Sequence, residues 1–455
     1  MGESVLIVCR RACLSYNPAA MRRVVVTGIG VVCPLGLGSR AFWEGLLAGR
    51  CGIRRIAGFD PSGLACQIGG EVPPYRIVDY VPKSYRKATK VMARDIELAV
   101  IAADDAFRDA NLASKAYVDS PTIPSARFGC NIGAGLINTD LSELAAAFDT
   151  ARRQDDPGAV DLVRWGRHGM EQLTPLWLLK YLPNMLACHV TIIHGLTGPS
   201  NTITCAEASS HLAIGEAFRT IQRGDADLAI CGGAEAKVQP MSMLRHGLLK
   251  RLNESCNDRP DRAVLPFDPE ARGTVLGDGA GLLILEEMGH AVERGARIYA
   301  EVAGFGVSQD THSITQPSPD GRACAAALRL ALREAGVGAE GLDLIVPNGL
   351  GIAAHDRAEL AGYRAVLGQR LASVPMAVVK PRTGALSAGC GVDVAGAVLS
   401  IAHRKIPPAP NVPAASDGQA LNVSPEPRDA DVRVAVSSVY SVGGQNAALV
   451  FRAAG

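Results

Sequence analysis

Two side chains near the middle of the chain could carry acyl or proton chemistry, and they stand two positions apart. The segment Gly198-Pro199-Ser200-Asn201-Thr202-Ile203-Thr204-Cys205-Ala206-Glu207-Ala208-Ser209-Ser210 leads into a helical pattern from His211 to Gln222. A β-prone stretch over 201–204, a small-residue turn and an apolar-periodic helix predict a strand–elbow–helix. That geometry lifts one side chain out at a helix N-terminus. A thiol in such a place is a nucleophile. A carboxylate is ionised at pH 7, is favoured by the backbone N–H groups, and can act as acid, base or resident anion. Cys205 and Glu207 are the two candidates. As a strand-end residue Cys205 also reads as a small buried thiol.

The elements that must position these residues are legible further out. With 455 residues and 48 % hydrophobic content the chain can bury a large core, as two linked domains or one duplicated unit. "RVVVTGIGVV" from Arg23 is echoed by "IYAEVAGFGVS" from Ile298, each a β-run ending in a Gly-rich turn. Later β-runs ("LDLIVPNG", "ASVPMAVVK", "VRVAVSSVY") alternate with helical periodicity, which predicts βαβ units and mostly parallel sheets. Asp149–Gln172 is polar and charged and reads as a surface excursion, and Pro407–Pro427 as a covering loop.

Net charge is +1 with signs well mixed, so no electrostatic footprint for nucleic acid or an anionic membrane is present. Twelve Cys without CxxC or Cys/His ligand spacing read as reduced thiols of a cytoplasmic protein, with no metal site. No apolar run reaches membrane-spanning length. Residues 1–20 fail as a signal peptide and read as a disordered or untranslated extension, with Met21 as an alternative start.

Five blocks together resemble the β-ketoacyl-carrier-protein synthase (ketosynthase) family of thiolase-fold condensing enzymes. They are Arg23–Ile56, the elbow with "GDADLAICGGAE", Leu265–Gly306, "KPRTGALSAGCG" from Lys380 and "SSVYSVGGQNAALVF" from Ser437, in family order and spacing. The resemblance covers nearly everything from Arg22 to Arg452. It implies an α/β thiolase fold: two βαβ halves stacked as α-β-α-β-α layers with the site between them, here 21–275 and 276–455. In the family pattern the nucleophilic Cys lies seven residues after the Ser of "GPS" and seven before a helical Ile-Gly. Ser200 plus seven and Ile214 minus seven both give Glu207. Cys205 is two positions early.

The other family catalytic groups are two imidazoles. The resemblance puts Asn348 at the first and Ala385 at the second, with Leu350 and Ile352 in place of two pantetheine-holding Thr. No catalytic side chain is intact at Glu207, Asn348 or Ala385. Asp356, Glu359 and Lys380 are retained, and a structural Lys380–Glu359 ion pair is expected. His355, at the start of the helix carrying Asp356, reads as a surface or cap residue, and His189 and His194 as core or interface. The gate loop is Val442-Gly443-Gly444, with no aromatic gate, and Glu207 is expected to reach toward the N–H of Val442.

The resemblance implies, first, a non-catalytic chain-length-factor subunit of a type II polyketide system, with polyene-type wording. It would pair with an active ketosynthase as a heterodimer, meet an acyl carrier protein with its phosphopantetheine-bound chain, use no cofactor, and shape the acyl tunnel. Leu173–Val190 would then border the interface and tunnel, or be ordinary core. The alternatives are an enzyme using Glu207 as acid or base, and a malonyl-carrier decarboxylase.

Overall fold

The computed structural model describes residues 21–455. The reading of residues 1–20 as an extension lies outside the described residues.

The first stretch of the chain, which runs past the expected boundary at 275, supplies β1 (Val24–Cys33), α1 (Arg94–Asp109), β2 (Phe128–Ala134), α2 (Met185–His194), β3 (Ser200–Ile203), α3 (Ser209–Gln222), β4 (Leu228–Glu235) and β5 (Gly279–Glu287). The second supplies β6 (Ala300–Gln309), α4 (Arg322–Ala335), β7 (Leu344–Val346), α5 (Ala353–Leu367), α6 (Gly391–His403), β8 (Val434–Tyr440) and β9 (Gln445–Arg452). All nine strands join one sheet in the order β7-β8-β9-β6-β1-β5-β4-β2-β3.

The order discloses a duplication. Reading outward from the middle gives β1-β5-β4-β2-β3 on one side and β6-β9-β8-β7 on the other. The orientations also match. β5 is antiparallel to β1 and β4, as β9 is to β6 and β8, while β2 is parallel to β4 as β7 is to β8. The two echoed segments, β1 and β6, meet antiparallel over Val24–Val26 and Ala300–Val302.

The sheet is therefore mixed, and the expectation of mostly parallel pairing is corrected. Strands separated by a crossover helix are parallel, but β8 and β9 are joined by the short turn 441–444, which only an antiparallel pair can use.

Side-chain alternation builds the layers. Leu283 and Leu285 of β5 and Leu449 and Phe451 of β9 face one central core, shared with α3 and α6. Leu282 and Ile284 face α1 and α2 on one outside, and Ala448 and Val450 face α4 and α5 on the other. The result is α1/α2, half-sheet, α3/α6, half-sheet, α4/α5. Helix α6 lies between the two half-sheets, so it is apolar all round (Val392, Val394, Ala395, Val398, Leu399, Ile401). It approaches so closely that a Cβ on Gly391 would sit 2.1 Å from the Gly281 carbonyl oxygen.

The excursion 149–172 is on the surface but largely helical. It continues from the helix Leu141–Ala151, capped by Asp140, and Trp165 packs on Phe148 at 5.0 Å. The apolar stretch Leu173–Val190 divides. Leu176 and Leu178 are exposed, while Leu186, Ala187, His189 and Val190 are buried in α2.

Candidate functional site

The elbow forms as its small residues predict. β3 runs into a single 3-10 turn, Ala206–Ala208, which hands over to α3. Ala206 takes a left-handed φ of 44°, a position costly for a residue with a Cβ. Ser209 secures the turn: its Oγ accepts from the Cys205 N–H at 2.8 Å and donates to the Ala206 carbonyl at 2.7 Å. Cys205 is half-buried, and burial pushes its thiol up, away from thiolate.

Glu207 points inward and is buried. Its Oε1 accepts from Arg251 Nη2 at 2.6 Å. Burial alone would push this carboxyl up. The Arg251 guanidinium, the residue's own N–H and the charges of His246 and Lys237 outweigh it and hold the group below the ordinary Glu range. The expected contact with the Val442 N–H is therefore replaced by an ion pair. A buried guanidinium is a stronger partner for a carboxylate than a neutral amide.

Arg251 owes its place to a helix end. Helix Pro240–Leu248 closes with the Lys250 N–H bonded to Gly247 O at 2.8 Å and the Arg251 N–H to His246 O at 3.0 Å. That is a Schellman motif whose left-handed residue is Lys250 (φ 52°) rather than Gly. The chain then pairs with Thr274, through Thr274 N–H to Arg251 O at 2.8 Å, which aims the Arg251 side chain at the elbow. His246 of the same helix is held near a pKa of about 4 by burial and the Arg251 charge.

The loop after β7 keeps its backbone and lacks imidazole. Glu359 accepts the N–H groups of Asn348 (2.8 Å) and Gly349 (2.9 Å), and Asp356 those of Leu350 and Gly351 (both 2.9 Å). Burial pushes both carboxyls up, Asp356 to about 7. Asn348 Nδ2 donates to the Tyr440 carbonyl at 3.1 Å. Ala385 is buried in an apolar cluster with Leu350 and Tyr440. Leu350 is buried and Ile352 partly so, and both pack into that apolar cluster.

Two expectations are corrected here. Lys380 bonds to Asp393 of α6, not Glu359, and that pair raises the Lys380 pKa against the effect of burial. Glu359 is already committed to two N–H groups and the Tyr363 hydroxyl (2.7 Å). His355 is buried rather than on the surface, because α5 starts beneath the Tyr440 ring, 5.7 Å away edge-on. Burial holds it near a pKa of about 4. His189 and His194 are core groups, bonded to Tyr85 and Ser114, with His194 stacked on Phe107.

In the gate loop, Gly443 and Gly444 both take positive φ, and the Gly443 N–H reaches Ile314 O at 2.8 Å. The site thus brings together Glu207, Asn348, Ala385, His355 and Tyr440, and burial keeps the His355 imidazole neutral at pH 7. Sequence reasoning missed Arg251 and His246. "RHGLLKR" (245–251) offers cations at a helix end, but nothing in it says which one turns inward.

The model for the "Beta-ketoacyl synthase, N-terminal domain" matches residues 21–291, and that for the C-terminal domain residues 299–413. This chain belongs to the beta-ketoacyl synthase family. Relatives include the 3-oxoacyl-[acyl-carrier-protein] synthase 2 of Synechocystis sp., 33 % identical over 95 % of this chain and 98 % of its own length. That of Rhizobium meliloti is 34 % identical over 95 % and 99 %. Among solved structures, the ishigamide ketosynthase/chain length factor superposes with a TM-score of 0.82 at 29 % identity, covering 96 % of this chain and 100 % of that one. A type II polyketide ketosynthase in complex with its acyl-carrier protein, bound to the hexaketide, gives 0.81 at 27 %, covering 96 % and 100 %. This family member accordingly has the thiolase fold. Among the described residues no helix is long and apolar enough to cross a membrane.

Proposed function

We propose that this beta-ketoacyl synthase relative is a non-catalytic, chain-length-factor-type subunit. It pairs with an active ketosynthase and shapes the acyl tunnel in a type II polyketide, polyene-like pathway of the cytoplasm. The observation that carries the reading is Glu207: the elbow is intact, but its side chain is a buried carboxylate held by Arg251. A carboxylate is a poor acyl acceptor from thioesters, and Asn348 and Ala385 supply no imidazole for decarboxylation.

Two further features support pairing. β3 is the outer strand of the sheet, and Ser200 and Asn201 on it are exposed, so its free edge can take a partner strand. Exposed Leu176 and Leu178 lie on the Leu173–Val190 segment that the resemblance places at the interface and tunnel, and exposed Leu141 and Phe148 lie on the helix Leu141–Ala151, which in the family also approaches the two-fold. The likeness to a ketosynthase/chain length factor, and to a ketosynthase captured with its acyl-carrier protein, supports an acyl carrier protein as the third participant.

A general acid–base role for Glu207 is weighed down by its ion pair and its lowered pKa, which leave it a weak base at neutral pH. The test is co-expression with an intact Cys-His-His ketosynthase followed by sizing. The expected result is a one-to-one complex; a stable homodimer that ignores the ketosynthase contradicts the proposal.

A further inference from the structure

We propose that Arg251 is a positioning residue that holds the elbow in its inward-facing conformation through the carboxylate of Glu207. The inference needs only the geometry of this chain, not its pairing with a ketosynthase.

Stability does not account for the Glu207–Arg251 pair. The two side chains are only 5 % and 7 % exposed. Around them Glu207 Oε2, Arg251 Nε and Nη1, His246 Nδ1 and Thr274 Oγ1 are buried without hydrogen-bond partners. A buried ion pair repays its desolvation only when its remaining polar atoms are satisfied, and the protein's own groups do not satisfy these. Each partner also hangs from a residue in the left-handed region, Ala206 and Lys250, where Gly would be the unstrained choice. Strained backbone that persists with unpaired buried charge is over-determined by its surroundings, which is how positional devices are built.

The lock has a clear mechanical basis. Arg251 is pinned on its backbone by the Schellman turn and by Thr274, and the neighbouring Gly273 N–H is tied to Gly351 O at 3.1 Å, on the loop that carries Asn348. The guanidinium thus couples the elbow to the loop after β7. With it in place, the Glu207 side chain is held inward.

The test compares amide exchange in the full-length protein, unaltered and as its Arg251→Lys and Arg251→Met forms, with Glu207 in place throughout. Met should speed exchange over 203–210 without affecting α1, and Lys should not. Unaltered elbow exchange in Arg251→Met overturns the lock.

Discussion

The Arg251 guanidinium meets the Glu207 carboxylate at 2.6 Å, and each is presented by a turn with a non-glycine residue in the left-handed region. This one contact joins the elbow to the helix end 44 residues downstream.

Removing one partner of the pair should be costly and removing both should not. Glu207→Ala leaves Arg251 buried and unpaired, and should destabilise the fold by about 3–5 kcal/mol, whereas Glu207→Leu with Arg251→Met should be neutral or stabilising. Denaturant unfolding measures both. Both sets should leave condensation by the partnered ketosynthase largely intact, because Glu207 does no chemistry in this account.

The pH dependence of the pair has a definite sign. The folded Glu207 carboxyl titrates below its unfolded value of about 4.3, so its contribution is present above that value and is lost as pH falls through the folded one. The stability gap between the native protein and Glu207→Gln should be level above about pH 5 and close on acidification.

His246 and His355 report the two charges with opposite signs. Burial, then the Arg251 charge, depresses both rings, whereas Glu207 raises both. Arg251→Met should move both imidazole titrations up, and Glu207→Gln should move both down. Histidine NMR titrations check this, and unchanged values in both variants would separate these rings from the pair.

Bulk at the interface should set product length. Ala145 and Ala146 are exposed small residues on the helix Leu141–Ala151. Trp at either should shorten the product of the reconstituted complex by whole two-carbon units, at a cost of only about 1–3 kcal/mol even if it overpacks the assembled tunnel. A changed yield at constant length would make this subunit a stabiliser and not a ruler.

The duplication was legible in the sequence because β1 and β6 repeat one pattern of β-run and Gly turn, and the elbow because its small residues admit one geometry. The direction of strand pairing was not, since it depends on connection length as well as element order. Lys380 and Glu359 were identified, but their partners were not. Asp393 comes from a different helix, and Glu359 is taken up by backbone N–H groups that no side-chain motif reveals. Arg251 was invisible because its direction depends on Lys250 adopting a conformation that sequence assigns to Gly.

The central claim is tested most directly by intact-mass measurement of the complex with an active ketosynthase after incubation with acyl-carrier donors. The account predicts an acyl adduct on the ketosynthase alone and none on this chain. A stable adduct here, on Cys205 or at Glu207, would contradict it.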